Sequence, residues 1–434
     1  LRLMNYFKPV FYLGMTASPD RTDSFNIYEL FNNNIVYEVR LKEAMENDLL
    51  CPFHYFGISD LEIDGQPIDE LSDFSKLYSD KRVNHIIDRI NYYGYSGNRV
   101  KGLVFCSSKQ EAKALSDEFN KRGFKTTSLT GEDSQERRER EVERLVADSG
   151  DVLDYIFTVD IFNEGVDIPE VNQVVMLRPT QSAIVFIQQL GRGLRKSKDK
   201  DFVVIIDFIA NYKNNFLIPV ALSGDNSYDK DTVRKFLSQG TRYLPGTSTI
   251  HFDEISKQRI YSAIDNVKLN TWIFVATEYS KLKNKLGRIP TYYDFENYDA
   301  LDIKKIFEVA GSYYTFLTKK ERQFKYKGLL SKTAENMLNF VSTNLILSKK
   351  IEELQILSLL LKGDVKNIEE QFKDIMLAEY NKFIADYELE VSKKILTNNF
   401  VTSSVTKKKF SDCIFLDENS NALKISTEFD KELQ

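Results

Sequence analysis

The stretch from Thr158 to Arg195, TVDIFNEGVDIPEVNQVVMLRPTQSAIVFIQQLGRGLR, decides how the rest of the chain is read. An apolar strand-like run ends in a turn carrying Asn163, Glu164, Gly165 and Asp167. After a second apolar run, a helix delivers Gln188, Gly191, Arg192 and Arg195. Positions three apart on a helix share a face, so Arg192 and Arg195 can point together into a cleft, while Gly191 and Gly193 keep side chains out of the way. That arrangement suits a triphosphate: a guanidinium is permanently charged, planar and forked, and it stabilises the charge that spreads over a transferred phosphoryl group. Taken alone, GRGLR reads more simply as a glycine-broken basic helix facing solvent.

Outward from that stretch, strands and helices alternate. Pro52–Ile58, Leu103–Cys106, Phe124–Leu129, Val152–Thr158, Gln173–Leu177 and Phe202–Asp207 read as strands. The nearly continuous apolar run at Leu103–Cys106 is what a parallel sheet covered by helices on both faces requires. Lys8–Gly14 and Ile35–Arg40 also read as strands, and LKEAMEND (41–48) as helix-like. Leu71–Tyr93 reads as two helices broken near Asp80, Lys109–Arg122 as an amphipathic helix stopped by Gly123, and Gln135–Ala147 as a charged helix. Ser107 and Ser108 follow a strand end, where a hydroxyl can cap a helix or take a phosphate of a bound strand. Thr130 and Gly131 form a turn whose hydroxyl can bond locally. Beyond Arg234 strand patterns thin out: LPGTSTIHFDEISKQRIYSAI reads as a turn and then a helix, and helices dominate the remainder.

Four segments together resemble superfamily 2 helicases and translocases, in order and spacing. GMTASPDRTD (14–23) is similar to their motif III as spelled in restriction-enzyme-like members. KGLVFCSSKQEAKAL (101–115) with SLTGEDSQERRER (128–140) resembles motif IV and the segment after it. Thr158–Pro169 resembles motif V, and Gln188–Arg195 resembles motif VI, Q-x-x-G-R-x-x-R. The resemblance implies an α/β fold: residues 1–24 would end a first RecA-like lobe, 25–215 would be the second RecA-like lobe with its parallel sheet, and 216–434 a mainly helical accessory region. It implies roles as well. Arg192, Arg195 and Gln188 would act on the phosphates of ATP, with Gly165, Asp167 and Gly191 near the nucleotide. Ser107, Ser108, Thr130, Gly131 and Thr158 would contact nucleic acid, DNA above RNA. Thr16 and Ser18 would couple hydrolysis to movement between lobes. GRIPTYYDF and GSYYTFLTKKE resemble the tail of a bacterial subgroup whose longer members carry a phospholipase D-like nuclease head, which implies a restriction or phage-defence setting. Their aromatics read more readily as helix-packing core than as platforms for bases.

Composition narrows the alternatives. The 434 residues carry a formal net charge of −5 and a hydrophobic share of 42%, a soluble, globular balance with no global basic footprint, so nucleic-acid contact must be a local patch. Three scattered cysteines and three histidines build no zinc site or disulfide framework, which suits a reducing cytoplasm. No apolar run is long enough to span a bilayer, so no membrane partner is expected. The glycine loop G-x-x-x-x-G-K-[ST] and a strand-borne acidic pair for Mg2+ are both missing from these residues. ATP and Mg2+ are therefore expected to be held mainly by a preceding lobe of the same polypeptide, without which this portion should be inactive. The competing reading is a scaffold in which a RecA-like lobe only docks nucleic acid or proteins.

Overall fold

Seven short runs, each four to seven residues long, assemble into one parallel sheet: β1 (Phe53–Ser59), β2 (Gly102–Phe105), β3 (Thr126–Leu129), β4 (Tyr155–Thr158), β5 (Gln173–Met176), β6 (Val203–Ile209) and β7 (Thr249–Phe252). Their order across the sheet is β3-β4-β2-β5-β6-β1-β7, with every neighbouring pair parallel. The computed structural model describes residues 6–7, 10–16, 26–39, 41–63, 66–67, 79–159, 168–178, 186–187, 191, 193–210, 212, 214–225, 227–239, 247–267, 269, 271–298, 300–362, 367–399, 409–417 and 423–433. β2, β4, β5 and β6 are buried along their whole length, which is why they read as mainly apolar runs rather than alternating ones.

The helices between these strands cover the sheet for reasons visible in their spacing. α1 (Leu41–Glu46) precedes β1. α2 (Asp80–Tyr93) buries Val83, Ile86 and Ile90, and α3 (Lys109–Lys121) buries Ala112, Leu115 and Phe119. These faces join Phe157, Val175 and Ile206 of the sheet in one core, where burying a ring such as Phe119 contributes about 2–3 kcal/mol. Glu111 N donates to Ser108 Oγ (3.1 Å) at the start of α3. Gly123, at φ +91°, turns the chain out of its end, a conformation that favours glycine. α4 (Gln135–Val146) starts on a Ser134 cap and leads to β4.

The sheet belongs to a compact unit of residues 1–267 and 283–289, and the boundary expected at 215 falls inside it. α5 (Leu217–Ser223), α6 (Lys230–Gln239), β7 and α7 (Glu254–Asn266) complete this unit. β7 is the strand that sequence reading missed. It is short, it follows turn-like residues, and as an edge strand it alternates buried Ile250 and Phe252 with exposed His251. Conversely, the described parts of two expected strands are not strands: Phe11–Gly14 and Ile35–Glu38 are irregular and largely exposed, with Phe11 and Val36 finding no sheet neighbour. The helix expected over 71–93 begins at Asp80, and 71–78 lies outside the described residues.

The second unit comprises residues 268–282 and 290–434 and contains no strand longer than an isolated bridge among its described residues. α8 (Trp272–Leu286) contributes its first eleven residues to it, followed by α9 (Tyr292–Asn297), α10 (Ile303–Ala310), α11 (Tyr313–Lys320), α12 (Lys332–Phe340), α13 (Ile351–Leu361), α14 (Ile368–Tyr380), α15 (Asp386–Leu396) and α16 (Thr427–Leu433). Phe340, Leu345, Ile356, Phe372, Leu396 and Phe415 centre its core. The tyrosines of GRIPTYYDF and GSYYTFLTKKE divide: Tyr313 is buried and its hydroxyl donates to Pro290 O (2.7 Å), whereas Tyr292 and Tyr293 are exposed.

Candidate nucleic-acid and nucleotide site

Strand register brings the five expected nucleic-acid contacts together. Thr158, the last residue of β4, pairs across the sheet with Phe105 on β2 and with Leu129 on β3. Ser107 and Ser108 lie just beyond Phe105, and Thr130 and Gly131 just beyond Leu129. All five therefore occupy the carboxyl edge of three adjacent strands, within about 10 Å at a strand spacing of about 4.8 Å. That edge is where open α/β sheets place their ligands.

Local bonding limits what each group can do there. Ser107 N and Oγ both donate to Glu111 Oε2, at 2.7 and 2.6 Å. A phosphate oxygen only accepts, so Ser107 must release Glu111 before it can donate to a backbone phosphate. Ser108 Oγ serves as the helix cap, the simpler of its two expected roles. Thr130 N donates to Asp133 Oδ2 (2.7 Å), and Thr130 Oγ1 is shared between Asp133 and Glu132 N at 3.3 Å. Thr158 is fully buried, and its Oγ1 finds no hydrogen-bond partner. Lys109, which sequence reading did not single out, bridges the two loops through Glu132 (2.5 Å) and stays half-exposed.

Beneath this edge lies a buried ionic network that no local motif signals. Arg82 on α2 donates to Asp60, just past β1, at 2.9 Å, and to Glu111 on α3 at 2.8 Å, with all three side chains essentially inaccessible. Burial works against the Arg82 charge, but the two carboxylates outweigh it and hold the guanidinium firmly protonated. The same Glu111 grips Ser107, so the network fixes the loop after β2 against α2 and β1. One signal was present in the sequence: Arg82 stands four and eight residues before Ile86 and Ile90, on a face otherwise apolar. On β6, Asp207 is buried and its carboxyl is pushed up to about 7 by desolvation, an effect the Tyr55 hydroxyl opposes by donating to it at 2.5 Å.

The nucleotide-facing candidates lie elsewhere or outside the described residues. Gln188, Arg192, Gly165, Asp167 and Ser18 fall outside them, and Thr16 is described and exposed. Arg195 is exposed and Gly191 is half-buried. Of the two glycines around Arg192, only Gly193 is sterically required: a Cβ there would meet Val203 Cγ2 at 2.7 Å and Val174 Cγ2 at 3.2 Å, while at Gly191 it would meet nothing. Gly193 thus packs beside the first residue of β6 and the second of β5. This places the Gly193–Arg195 end at the amino edge of the sheet, opposite Ser107, Thr130 and Thr158. Lys200 anchors that end. Its buried ammonium donates to Val171 O (2.9 Å), Gly193 O (3.0 Å) and Pro169 O, tying the segment after Asp167 to the glycine turn. Burial pulls its pKa down to about 8. Leu194 O also accepts from Cys51 N (2.7 Å).

No group of three or more metal-ligating side chains occurs among the described residues, and no described helix is long and apolar enough to cross a membrane. The helicase conserved C-terminal domain model matches residues 82–197, and a family described only as a domain of unknown function, DUF8090, matches 275–434. The chain is 27% identical over 204 residues to IRC3 of Saccharomyces cerevisiae, provisionally named an ATP-dependent helicase, covering 45% of this chain and 29% of that one. It is 26% identical over 207 residues to the pre-mRNA-splicing ATP-dependent RNA helicase PRP28 of Debaryomyces hansenii, covering 47% and 30%. Among solved structures, a fragment of a provisionally assigned HsdR subunit of a type I restriction enzyme from Vibrio vulnificus aligns at 25% identity over 48% of this chain and 41% of that one. Its TM-score of 0.38 is too low to carry weight. The chain spans 29 to 46% of the length of the first curated relatives it matches. Residues 82–197 thus match a helicase conserved C-terminal domain, in line with the superfamily 2 resemblance of the motifs and the parallel sheet that carries them.

Proposed function

We propose that these residues form the moving half of an ATP-dependent DNA translocase or helicase, with a single strand lying along the carboxyl edge of β3, β4 and β2. The observation that carries this reading is the register that sets Thr158 level with Phe105 and Leu129, and so brings the loops of Ser107 and Thr130 to one edge, with the Thr158 side chain buried between them. In this reading ATP and Mg2+ are held mainly by a first RecA-like lobe of the same polypeptide, and turnover requires that lobe. Arg195, exposed beside an open Gly191, then reaches the phosphates with Arg192 and Gln188, while Gly165 and Asp167 approach the nucleotide and Thr16 and Ser18 couple the lobes. The preference for DNA and a role in restriction or phage defence rest on the spelling of GMTASPDRTD and on the subgroup that GRIPTYYDF and GSYYTFLTKKE resemble, and a place inside the cell rests on the scattered cysteines; all are proposed on that footing.

A docking scaffold has one observation in its favour: the hydroxyls of Ser107, Ser108 and Thr130 are already engaged by their own loops. One measurement separates the two readings, the nucleic-acid-stimulated ATPase of the full-length protein. Arg195→Ala should cut turnover by about 10³- to 10⁵-fold, and unchanged turnover would remove Arg195 from the chemistry and favour the scaffold. DNA and RNA strands compared as stimulators in the same assay test the DNA preference.

A further inference from the structure

The second unit carries a surface that the helicase lobe does not explain. Between Lys319 and Lys332 the sequence places six cations, Lys319, Lys320, Arg322, Lys325, Lys327 and Lys332, against one carboxylate, Glu321, in a chain whose formal net charge is −5. Glu321 is turned to other work, since Tyr279 OH donates to its Oε1 at 2.9 Å. Lys332 pairs with Glu335 at 3.5 Å. The other five cations form no ion pair among the described residues, and all but Lys320 are exposed. Ser331 donates to Glu432.

This display is built rather than loose. The turn 321–330 is held to α11 by three rings: Tyr314 lies 5.8 Å from Phe324, Phe324 lies 5.8 Å from Tyr326, and Tyr314 OH donates to Tyr326 O at 3.1 Å. Backbone bonds from Lys327 N to Phe324 O and from Leu329 N to Tyr326 O close the turn, and Gly328 takes φ +77° within it. Tyr326 is left 53% exposed, with Lys325 Nζ 5.4 Å from its ring centre.

We propose that this turn is a second nucleic-acid contact, in which Tyr326 stacks an unpaired base and Lys319, Lys320, Arg322 and Lys327 meet the phosphates on either side of it. Cations alone would suit any polyanion. A half-exposed ring fixed among them adds a flat face on which an unpaired base can stack, which favours a single strand over a duplex. The proposal takes its ligand class from the reading of the first unit, but it needs neither ATP nor Arg195.

The test uses the 434-residue chain without nucleotide and a fluorescein-labelled oligodeoxythymidine, with anisotropy measured across a salt series. Replacing Lys319, Lys320, Arg322 and Lys327 together by Gln should lower the slope of log affinity against log salt by about 3. Tyr326→Ala should weaken the oligonucleotide by roughly 5- to 150-fold and leave binding of inorganic polyphosphate unchanged, while Tyr326→Phe, which keeps the ring and the turn, should bind as wild type. Three results would overturn the proposal: no oligonucleotide binding by the wild-type chain, an unaltered salt slope in the fourfold variant, or equal loss of oligonucleotide and polyphosphate on Tyr326→Ala. A normal result here beside an unaffected Arg195→Ala ATPase would sink the motor reading alone.

Discussion

The two units handle buried charge in opposite ways. In the sheet unit, charged side chains go fully inside in complementary sets: Arg82 between Asp60 and Glu111 under the carboxyl edge, and Lys200 among three carbonyls near the amino edge. In the helical unit the described core is mainly apolar, the cations of 319–332 lie at or near the surface, and Glu353 is a buried carboxylate whose Oε2 has no partner. A buried set of charges adds little net stability, because desolvation consumes most of the attraction, but it holds loops from distant parts of the chain in one arrangement. The sheet unit therefore fixes its functional loops from within. Among its described residues the helical unit has no such internal brace, and it offers its recognisable chemistry on the surface.

The largest effect expected from this contrast is at Arg82. Arg82→Met should cost about 3–5 kcal/mol in urea denaturation, because it strands Asp60 and Glu111 without their cation. It should also loosen Ser107, whose partner is Glu111. Adding Asp60→Asn and Glu111→Gln to Arg82→Met should recover much of the loss, since the stranded charges are then gone. A loss of under about 1 kcal/mol for Arg82→Met would mean that the network is no more than a surface-grade pairing, and the contrast would collapse.

How far the sequence alone reaches follows the same division. Fully apolar strands such as Leu103–Cys106 and Val203–Ile206 declare themselves because helices cover both faces of the sheet, and the alternation of elements leads directly to a parallel fold. Edge strands are harder: Thr249–Phe252 has one wet face and no periodicity long enough to register. Apolar runs at Phe11–Gly14 and Ile35–Glu38 read as strands because apolar pattern reports a preference for burial and cannot say whether a neighbour is present. The Ser107–Thr130–Thr158 edge was legible through motif order. Its supporting network was not, because Asp60, Arg82 and Glu111 meet only through tertiary packing, and Lys200 bonds backbone carbonyls, which leave no mark in a sequence.

Lys200 gives a smaller and more local effect. Lys200→Met should cost about 1–3 kcal/mol, since the Pro169, Val171 and Gly193 carbonyls lose a buried donor. The accompanying rise in amide exchange should concentrate in residues 168–171 and 191–200. The pH dependence has a definite sign. Burial lowers the Lys200 pKa from 10.5 to about 8, so between those values the unfolded chain binds the extra proton and the group's contribution to stability rises with pH. The gap between wild type and Lys200→Met should accordingly widen from pH 8 toward 10.5. A gap that narrows would show that the three carbonyls hold the ammonium more strongly than burial penalises it.

The smallest effect should come from the helical unit. Glu353 on α13 is 2% exposed and accepts one hydrogen bond, from Ser392 Oγ at 3.1 Å, while Oε2 is unpartnered. Glu353→Met gives up that bond but removes a buried carboxylate and fills the space with an apolar chain of similar length. The two terms oppose each other, and stability should change by less than about 1 kcal/mol in either direction. The same substitution would be ruinous if Glu353 held a cation as Asp60 and Glu111 do. A loss approaching that of Arg82→Met in the same urea titration would therefore show that the helical unit also organises itself around buried charge.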